Sequence, residues 1–290
     1  MEITAFGMAL LFMGGLGGLL AGAIALANRK LYVYEDPRID EVEAMLPGNN
    51  CGACGQPGCH AFSESLVKKQ SNPAQCTVSS LESKQAIAAH LGMDLGNTEK
   101  RVARLACAGG NHVARQRTRY VGMSSCRAAA LVAGGGKGCV WGCLGLQDCG
   151  RVCKFGAISF NRNGLPVVDP NKCTACGDCV AVCPKQLFSI HPISHRLWVN
   201  CRNQEMGEAA EAECNVACIA CGKCAMDSAS GLVVMKNHLP VVDYELNDFA
   251  QRSIIQRCPT GAIVWINDQN QFETGAAAKR VIRKSALPVG

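Results

Sequence analysis

Hydrophobicity along the chain changes character once. From Ile3 to Ala27 no charged residue occurs, and Arg29-Lys30 follow at once. As a helix rising 1.5 Å per residue, that stretch reaches roughly 37 Å, enough to cross a bilayer core with some tilt. Gly14, Gly15, Gly17, Gly18 and Gly22 leave flat helix surface that suits packing against other membrane helices. No cleavage signature follows, so a single-pass anchor is expected rather than a removed signal peptide, and the basic pair puts the remaining chain on the cytoplasmic side. Beyond residue 30 no such run recurs. The pattern breaks into one short amphipathic helix, His60 to Lys69, and brief strand-like runs: FGAISF, LPVVD, GLVVM, a second LPVVD and GAIVWI.

Pieces this short do not bury enough apolar surface to fold alone. The composition supplies a substitute: 20 cysteines in 290 residues, against 8 Phe, 4 Tyr and 3 Trp. Disulfide-rich proteins are usually short and secreted, whereas a cytoplasmic body keeps its thiols reduced, so metal ligation is the expectation. Cys51-Gly-Ala-Cys54-Gly-Gln-Pro-Gly-Cys59 with a trailing Cys76 offers four thiolates, wrapped by glycines that let the backbone approach closely. Zinc and a [4Fe–4S] cluster both accept that donor set; the glycine-rich wrapping and the further cysteine runs favour the cluster. His60 is read as an exposed helix residue.

Cys173-x2-Cys176-x2-Cys179-x3-Cys183-Pro184 is the bacterial ferredoxin run, whose fourth cysteine ligates the other cluster of a pair. Its partner run lies upstream, at Cys139-x3-Cys143-x5-Cys149-x3-Cys153. Exchanging fourth cysteines gives one cluster on Cys139, Cys143, Cys149 and Cys183, and another on Cys153, Cys173, Cys176 and Cys179. Lys154 stands where proline is usual, so a looser turn is expected after Cys153. The unit then repeats: Cys126-x12-Cys139-x3-Cys143 is matched by Cys201-x12-Cys214-x3-Cys218. In the second copy Cys218, Cys221, Cys224 and Cys258 form a complete set. Ser228 and the cysteine-free stretch 246–256 remove every ligand of its companion together, so one cluster site is read as vacant. Cys107, Cys126, Cys201 and Cys214 remain, either as a fifth cluster or as buried free thiols; Cys139 and Cys214, equivalent in the repeat, could exchange roles.

Charge changes less than it first suggests. Lys plus Arg exceed Asp plus Glu by 6. Each oxidised [4Fe–4S] centre with four thiolates carries about −2, so four clusters bring the holoprotein to about −2 and five to about −4. Locally, Lys100 to Gln147 holds eight basic residues and no acidic one. Arg101, Arg104, Arg115, Arg117 and Arg119 are candidate docking residues for an acidic protein, the alternative being a solvated or lipid-facing surface. Nucleic acid is not expected, because only Tyr120 in that block could stack on a base. Gly134-Gly135-Gly136-Lys137-Gly138 lacks the frame and the Ser or Thr of a phosphate loop and reads as a linker turn. No substrate-converting motif occurs.

With its membrane span, CGACGQPGC, CRAAALVAGGGKGCVWGCLGLQDCGRVCKFGAI, KCTACGDCVAVCPK and CPTGAI in that order, the chain resembles the B subunit of Rnf (Rsx-type) ion-translocating electron-transport complexes. It differs from members with a complete final ferredoxin run at Ser228 and across 246–256. The resemblance implies a multi-cluster electron carrier of the bacterial inner membrane, within an assembly that couples ferredoxin:NAD⁺ oxidoreduction to Na⁺ or H⁺ movement. Its implied partners are soluble ferredoxin and the complex's membrane and NADH-side subunits. The alternatives are a polyferredoxin of another membrane redox complex, such as a hydrogenase or a reducer of an iron–sulfur regulator, and a structural zinc protein.

The expected fold is α+β: anchor 1–30, helical 4Fe-4S domain 31–95, basic connecting segment 96–137, two-cluster ferredoxin-like domain 138–200, second ferredoxin-like unit 201–272 and disordered tail 273–290. At least three clusters are expected, four by the assignment above, with the fifth open. Iron and acid-labile sulfide should accompany the purified chain in equal amounts; zinc without sulfide would refute the clusters.

Overall fold

The computed structural model describes residues 2–31, 36–96 and 99–279. The first element, α1 (Glu2–Leu31), is one continuous helix. Among the described residues, its stretch Leu10–Leu31 is the one long and apolar enough to cross a membrane. Leu11, Phe12, Met13, Leu19 and Leu26 lie fully open on it, a surface that needs lipid or partner helices to cover it.

Three helices make the next body: α2 (Arg38–Met45), α3 (Cys59–Val67) and α4 (Leu81–Leu91). They close over Val42, Phe62, Leu66 and Ile87, all fully buried. Helix α4 begins where the Ser80 hydroxyl accepts the Ser83 N–H, and it stops at Gly92, whose φ of +59° only glycine adopts without strain.

The remainder is one plan used twice. In the first unit β1 (Arg101–Leu105) is followed by α5 (Cys126–Leu131), α6 (Asp148–Val152), the hairpin β2 (Ile158–Phe160) and β3 (Pro166–Val168), α7 (Asp178–Val182) and β4 (Phe188–Pro192). β1 runs antiparallel to β4, with Arg101 opposite Pro192 and Leu105 opposite Phe188. The second unit begins at β5 (Leu197–Val199) and continues with α8 (Gly207–Glu213), α9 (Lys223–Met226), the hairpin β6 (Val233–Lys236) and β7 (Leu239–Val242), then β8 (Ile263–Ile266) and β9 (Phe272–Glu273). Here β5 and β8 form the outer pair, and β9 extends it. The first unit therefore starts at residue 101, inside what sequence suggests is a linker. Val102, Ala103 and Leu105 are buried there, so the segment folds as a strand.

The two outer pairs face each other across a seam. Trp198 Nε1 donates across it to Leu105 O (2.9 Å), while Tyr244 Oη, within the second unit, donates to Leu197 O (2.9 Å). His195 stacks flat on Tyr244, with ring centres 4.0 Å apart. Alternation along β1 puts Ala103, Leu105 and Cys107 into the core of their own unit, while Ala106 meets Trp198 and Val264 of the other.

Where α7 stands in the first unit, the second has two 3₁₀ turns, Tyr244–Phe249 and Arg252–Ile255. Leu246, Ile254 and Ile255 pack there with Leu232 and Ile263, and the Ser228 hydroxyl donates to Ala225 O (3.0 Å). Residues 273–279 are also bound to the body, against the expected tail: Ala277 N–H donates to Gln256 O, Lys279 N–H to Pro259 O, and the Lys279 ammonium pairs with Glu211. The rest of that expected tail, 280–290, lies outside the described residues.

Ile255→Ala empties fully buried space and should cost about 2–5 kcal/mol, seen as a lower temperature for loss of the visible absorbance of the loaded protein. Bleaching at the wild-type temperature would show that this apolar filling does not hold the second unit.

Candidate metal centres

Cysteine side chains converge in five places. In the helical body Cys54, Cys59 and Cys76 pack on one apolar cluster, and Cys51 and Cys76 lie close enough to Cys54 to add to the upward push that burial gives its thiol. The loop is shaped for close wrapping. Asn50 Oδ1 accepts the Cys59 N–H (2.7 Å), and a β-carbon at Gly58 would come within 2.9 Å of that oxygen. Ser79 Oγ donates to Cys76 Sγ (3.0 Å). His60 is exposed and bonds Glu43 (2.6 Å).

The tandem units hold the other four groups. Cys153, Cys173, Cys176 and Cys179 line one hollow, and Cys218, Cys221, Cys224 and Cys258 another, as the spacing suggests. The remaining two groups differ from expectation. Cys126 joins Cys143, Cys149 and Cys183, while Cys139 lies with Cys107, Cys201 and Cys214. The reason is in the frame: Cys143-x2-Leu146-x2-Cys149-x3-Cys153 is a ferredoxin run with leucine at its second position. Cys126, the first residue of α5, fills that gap from upstream. Cys139 then stands four residues ahead of the run, as Cys214 stands ahead of Cys218.

The group of Cys107, Cys139, Cys201 and Cys214 takes two cysteines from each unit and lines one hollow. Cys107 follows β1 by two residues and Cys201 follows β5 by two. The N–H of Cys143 donates to Cys107 Sγ (3.4 Å), and in the other unit the N–H of Cys218 donates to Cys201 Sγ (3.3 Å). Each bond links the central group to a cysteine of a neighbouring one. Helices α6 and α7 make the next link: α6 carries Cys149 and ends at Cys153, and α7 carries Cys179 and ends at Cys183. The four groups thus form a continuous series.

Backbone N–H groups are aimed at sulfur throughout: Ala103 at Cys173 (3.4 Å), Ala157 at Cys153 (3.3 Å), Leu187 at Cys183 (3.4 Å) and Asn203 at Cys201 (3.4 Å). The Cys153 and Cys183 turns are alike, each closed by an N–H bond to its own sulfur, so Lys154 does not loosen its turn. Burial pushes the thiols of Cys143, Cys149, Cys179, Cys201 and Cys224 up to about 12, and those of Cys214 and Cys218 to about 11, with neighbouring cysteines adding to the push. Such thiols ionise only against a cationic centre. Four convergent thiols ringed by donors directed at sulfur fit a [4Fe–4S] cluster.

The basic residues separate. Arg101, Arg115, Arg117 and Arg119 are exposed, and Arg117 pairs with Glu213. Arg104 is 3% exposed, so it does not meet a docking partner. Its guanidinium donates to Pro192 O and Ile193 O and lies over Trp198, and burial lowers its pKa to about 10.

The Fe-S cluster family model matches residues 46–78, and the 4Fe-4S binding domain model matches residues 165–188. Three similar proteins are B subunits of ion-translocating complexes. That of the Na(+)-translocating ferredoxin:NAD(+) oxidoreductase complex of Acetobacterium woodii is 38% identical over 80% of this chain and 70% of its own. That of the ion-translocating oxidoreductase complex of Methanosarcina acetivorans is 34% identical over 87% and 95%. That of the proton-translocating ferredoxin:NAD(+) oxidoreductase complex of Clostridium ljungdahlii is 35% identical over 93% and 98%.

The regrouping makes a paired prediction. Cys126→Ala should delete the same paramagnetic signal as Cys183→Ala, and Cys139→Ala the same signal as Cys201→Ala. A Cys139→Ala protein that loses the Cys183 signal instead would restore the grouping expected from spacing.

Proposed function

The chain belongs to the B-subunit family of Rnf-type ion-translocating ferredoxin:NAD(+) oxidoreductase complexes, and on that premise we propose that it is the complex's one-electron wire. Reduced ferredoxin docks on the cytoplasmic body and yields one electron at a time. The electron hops along the tandem units to the centre of Cys51, Cys54, Cys59 and Cys76, and then to membrane subunits, where the assembly couples transfer toward NAD⁺ to Na⁺ or H⁺ movement. The observation that carries this reading is the series of four cysteine groups linked through Cys143 and Cys218 to the central one.

Five [4Fe–4S] clusters fill the groups in this reading. Their ligand sets are Cys51, Cys54, Cys59 and Cys76; Cys126, Cys143, Cys149 and Cys183; Cys153, Cys173, Cys176 and Cys179; Cys107, Cys139, Cys201 and Cys214; and Cys218, Cys221, Cys224 and Cys258. When bound, the clusters supply the electron-accepting orbitals. The protein supplies thiolates, N–H groups that stabilise negative sulfur, and burial that excludes water, and these set each potential. The position vacant of cysteines beside Ser228 takes no cluster, in keeping with the apolar packing of Leu246, Ile254 and Ile255.

One span, α1, anchors the chain in the inner membrane, with the body on the cytoplasmic side as Arg29 and Lys30 favour. For ferredoxin docking the supporting feature is the segment that delivers Cys126. Arg115, Arg119, Val121, Met123 and Leu131 are all exposed along it, basic and apolar side chains of the kind that suit an acidic partner.

Cys54→Ala in the assembled complex should abolish ferredoxin-dependent NAD⁺ reduction while the signals of the tandem-unit clusters persist. Unchanged turnover would sink the assignment of the N-terminal centre as the exit.

A further inference from the structure

Lys137 lies in the glycine-rich stretch that reads as a linker turn, yet it is 6% exposed. Its backbone is held by a short antiparallel bridge to Gln116, flanked by the Arg117 N–H on Gly136 O and the Gly138 N–H on Arg115 O. Gly136, just ahead of it, is sterically required, and Gly142 lies tight against its stem. A β-carbon at Gly136 would lie 2.3 Å from Thr118 O, and one at Gly142 would press within 3.2 Å of the Lys137 stem. The side chain is thereby threaded inward, and its ammonium donates to Gly109 O and to Cys143 O (2.6 Å).

Two carbonyl dipoles do not compensate a buried ammonium, and among the described residues no carboxylate pairs with it. The compensating charge is available from the cysteines. Lys137 lines the hollow of Cys107, Cys139, Cys201 and Cys214, and through Cys143 it touches the group of Cys126, Cys149 and Cys183. The repeat does not carry it over: two residues ahead of Cys214, where Lys137 would recur, stands Ala212. The one other cation lining the central hollow is Arg202, which is exposed to water.

We propose that the Lys137 ammonium is the counter-charge shared by the two four-cysteine centres beside it, and that it holds the reduction potentials of both above the values they would have without it. The proposal rests on the cluster assignment above. Each centre accepts one electron and no proton, gaining one negative charge, and a fixed buried cation stabilises that reduced state more than the oxidised one. Because the cation stands on one side of the central group only, it also makes the tandem units electrically unequal despite their common fold. The Cys143 side therefore holds an electron more readily than the Cys218 side.

The test is a potentiometric titration of the full-length holoprotein in detergent, followed by electron paramagnetic resonance. Iron and sulfide are counted in every preparation. Wild-type protein lacking iron and sulfide at these sites would defeat the cluster reading itself. With clusters present, Lys137→Gln should move two centres to more negative potential and leave the others in place, and Lys137→Arg should keep wild-type potentials. A fully loaded Lys137→Gln protein with unshifted potentials would overturn the proposal, as would an equal shift in Arg202→Gln, whose charge is screened by water. If Lys137→Gln does not load, Lys137→Arg decides: loading with wild-type potentials supports the role of charge, and failure to load refutes it, because shape would then be what the position requires.

Discussion

The body beyond α1 depends on one interaction, the convergence of four sulfurs from separate chain segments around a common point, with backbone N–H groups turned toward them. Strands of two to five residues and helices of four to eleven do not fold on their own. Each cysteine group pins two or more such pieces at once, and the apolar clusters then form against the pinned framework. Cys179 and Cys149 are counted in the same buried cluster as Leu187 and Phe188, and Cys224 and Cys258 in that of Leu232 and Ile255. Core and metal centre are here the same object.

This economy has an electrostatic side. Sulfurs buried this deeply stay neutral unless a cationic centre holds them, and once held they concentrate negative charge in a poorly screened interior. The N–H groups of Ala103, Ala157, Leu187 and Asn203, donated to the sulfurs of Cys173, Cys153, Cys183 and Cys201, answer that charge with dipoles. The surface excess of Lys and Arg is a weak guide to partners for the same reason: part of it, as at Lys137 and Arg104, is not on the surface at all.

Much of the architecture is legible in the chain because it is local. The uncharged run before Arg29, CGACGQPGC and the unbroken run from Cys173 to Cys183 each declare their element and chemistry within a dozen or two residues. What escapes is non-local. Cys126 reaches its group across a loop, and the signal that could have revealed it is Leu146, placed three residues after Cys143 and three before Cys149, where a ferredoxin run needs a cysteine. Arg104 has the charge of a surface residue. Its two-residue alternation with Val102 and Ala106 marks it instead as a side chain on the seam-facing side of β1, a period that its charge masks. The apolar replacement around Leu246 and Ile254 is foreshadowed as missing cysteines, but its packing partners come from several separate elements, Leu197, the hairpin of Val233 and Leu239, and Ile263.

The central group has a further consequence for biogenesis. Cys107 and Cys139 leave the ribosome well before Cys201 and Cys214, so half of that site exists for some sixty residues of synthesis without the other half. The groups of Cys51 to Cys76 and of Cys126 to Cys183 can each be completed in turn as the chain emerges. The central one closes only after the second unit has begun, so that group comes together only in a chain with both halves made.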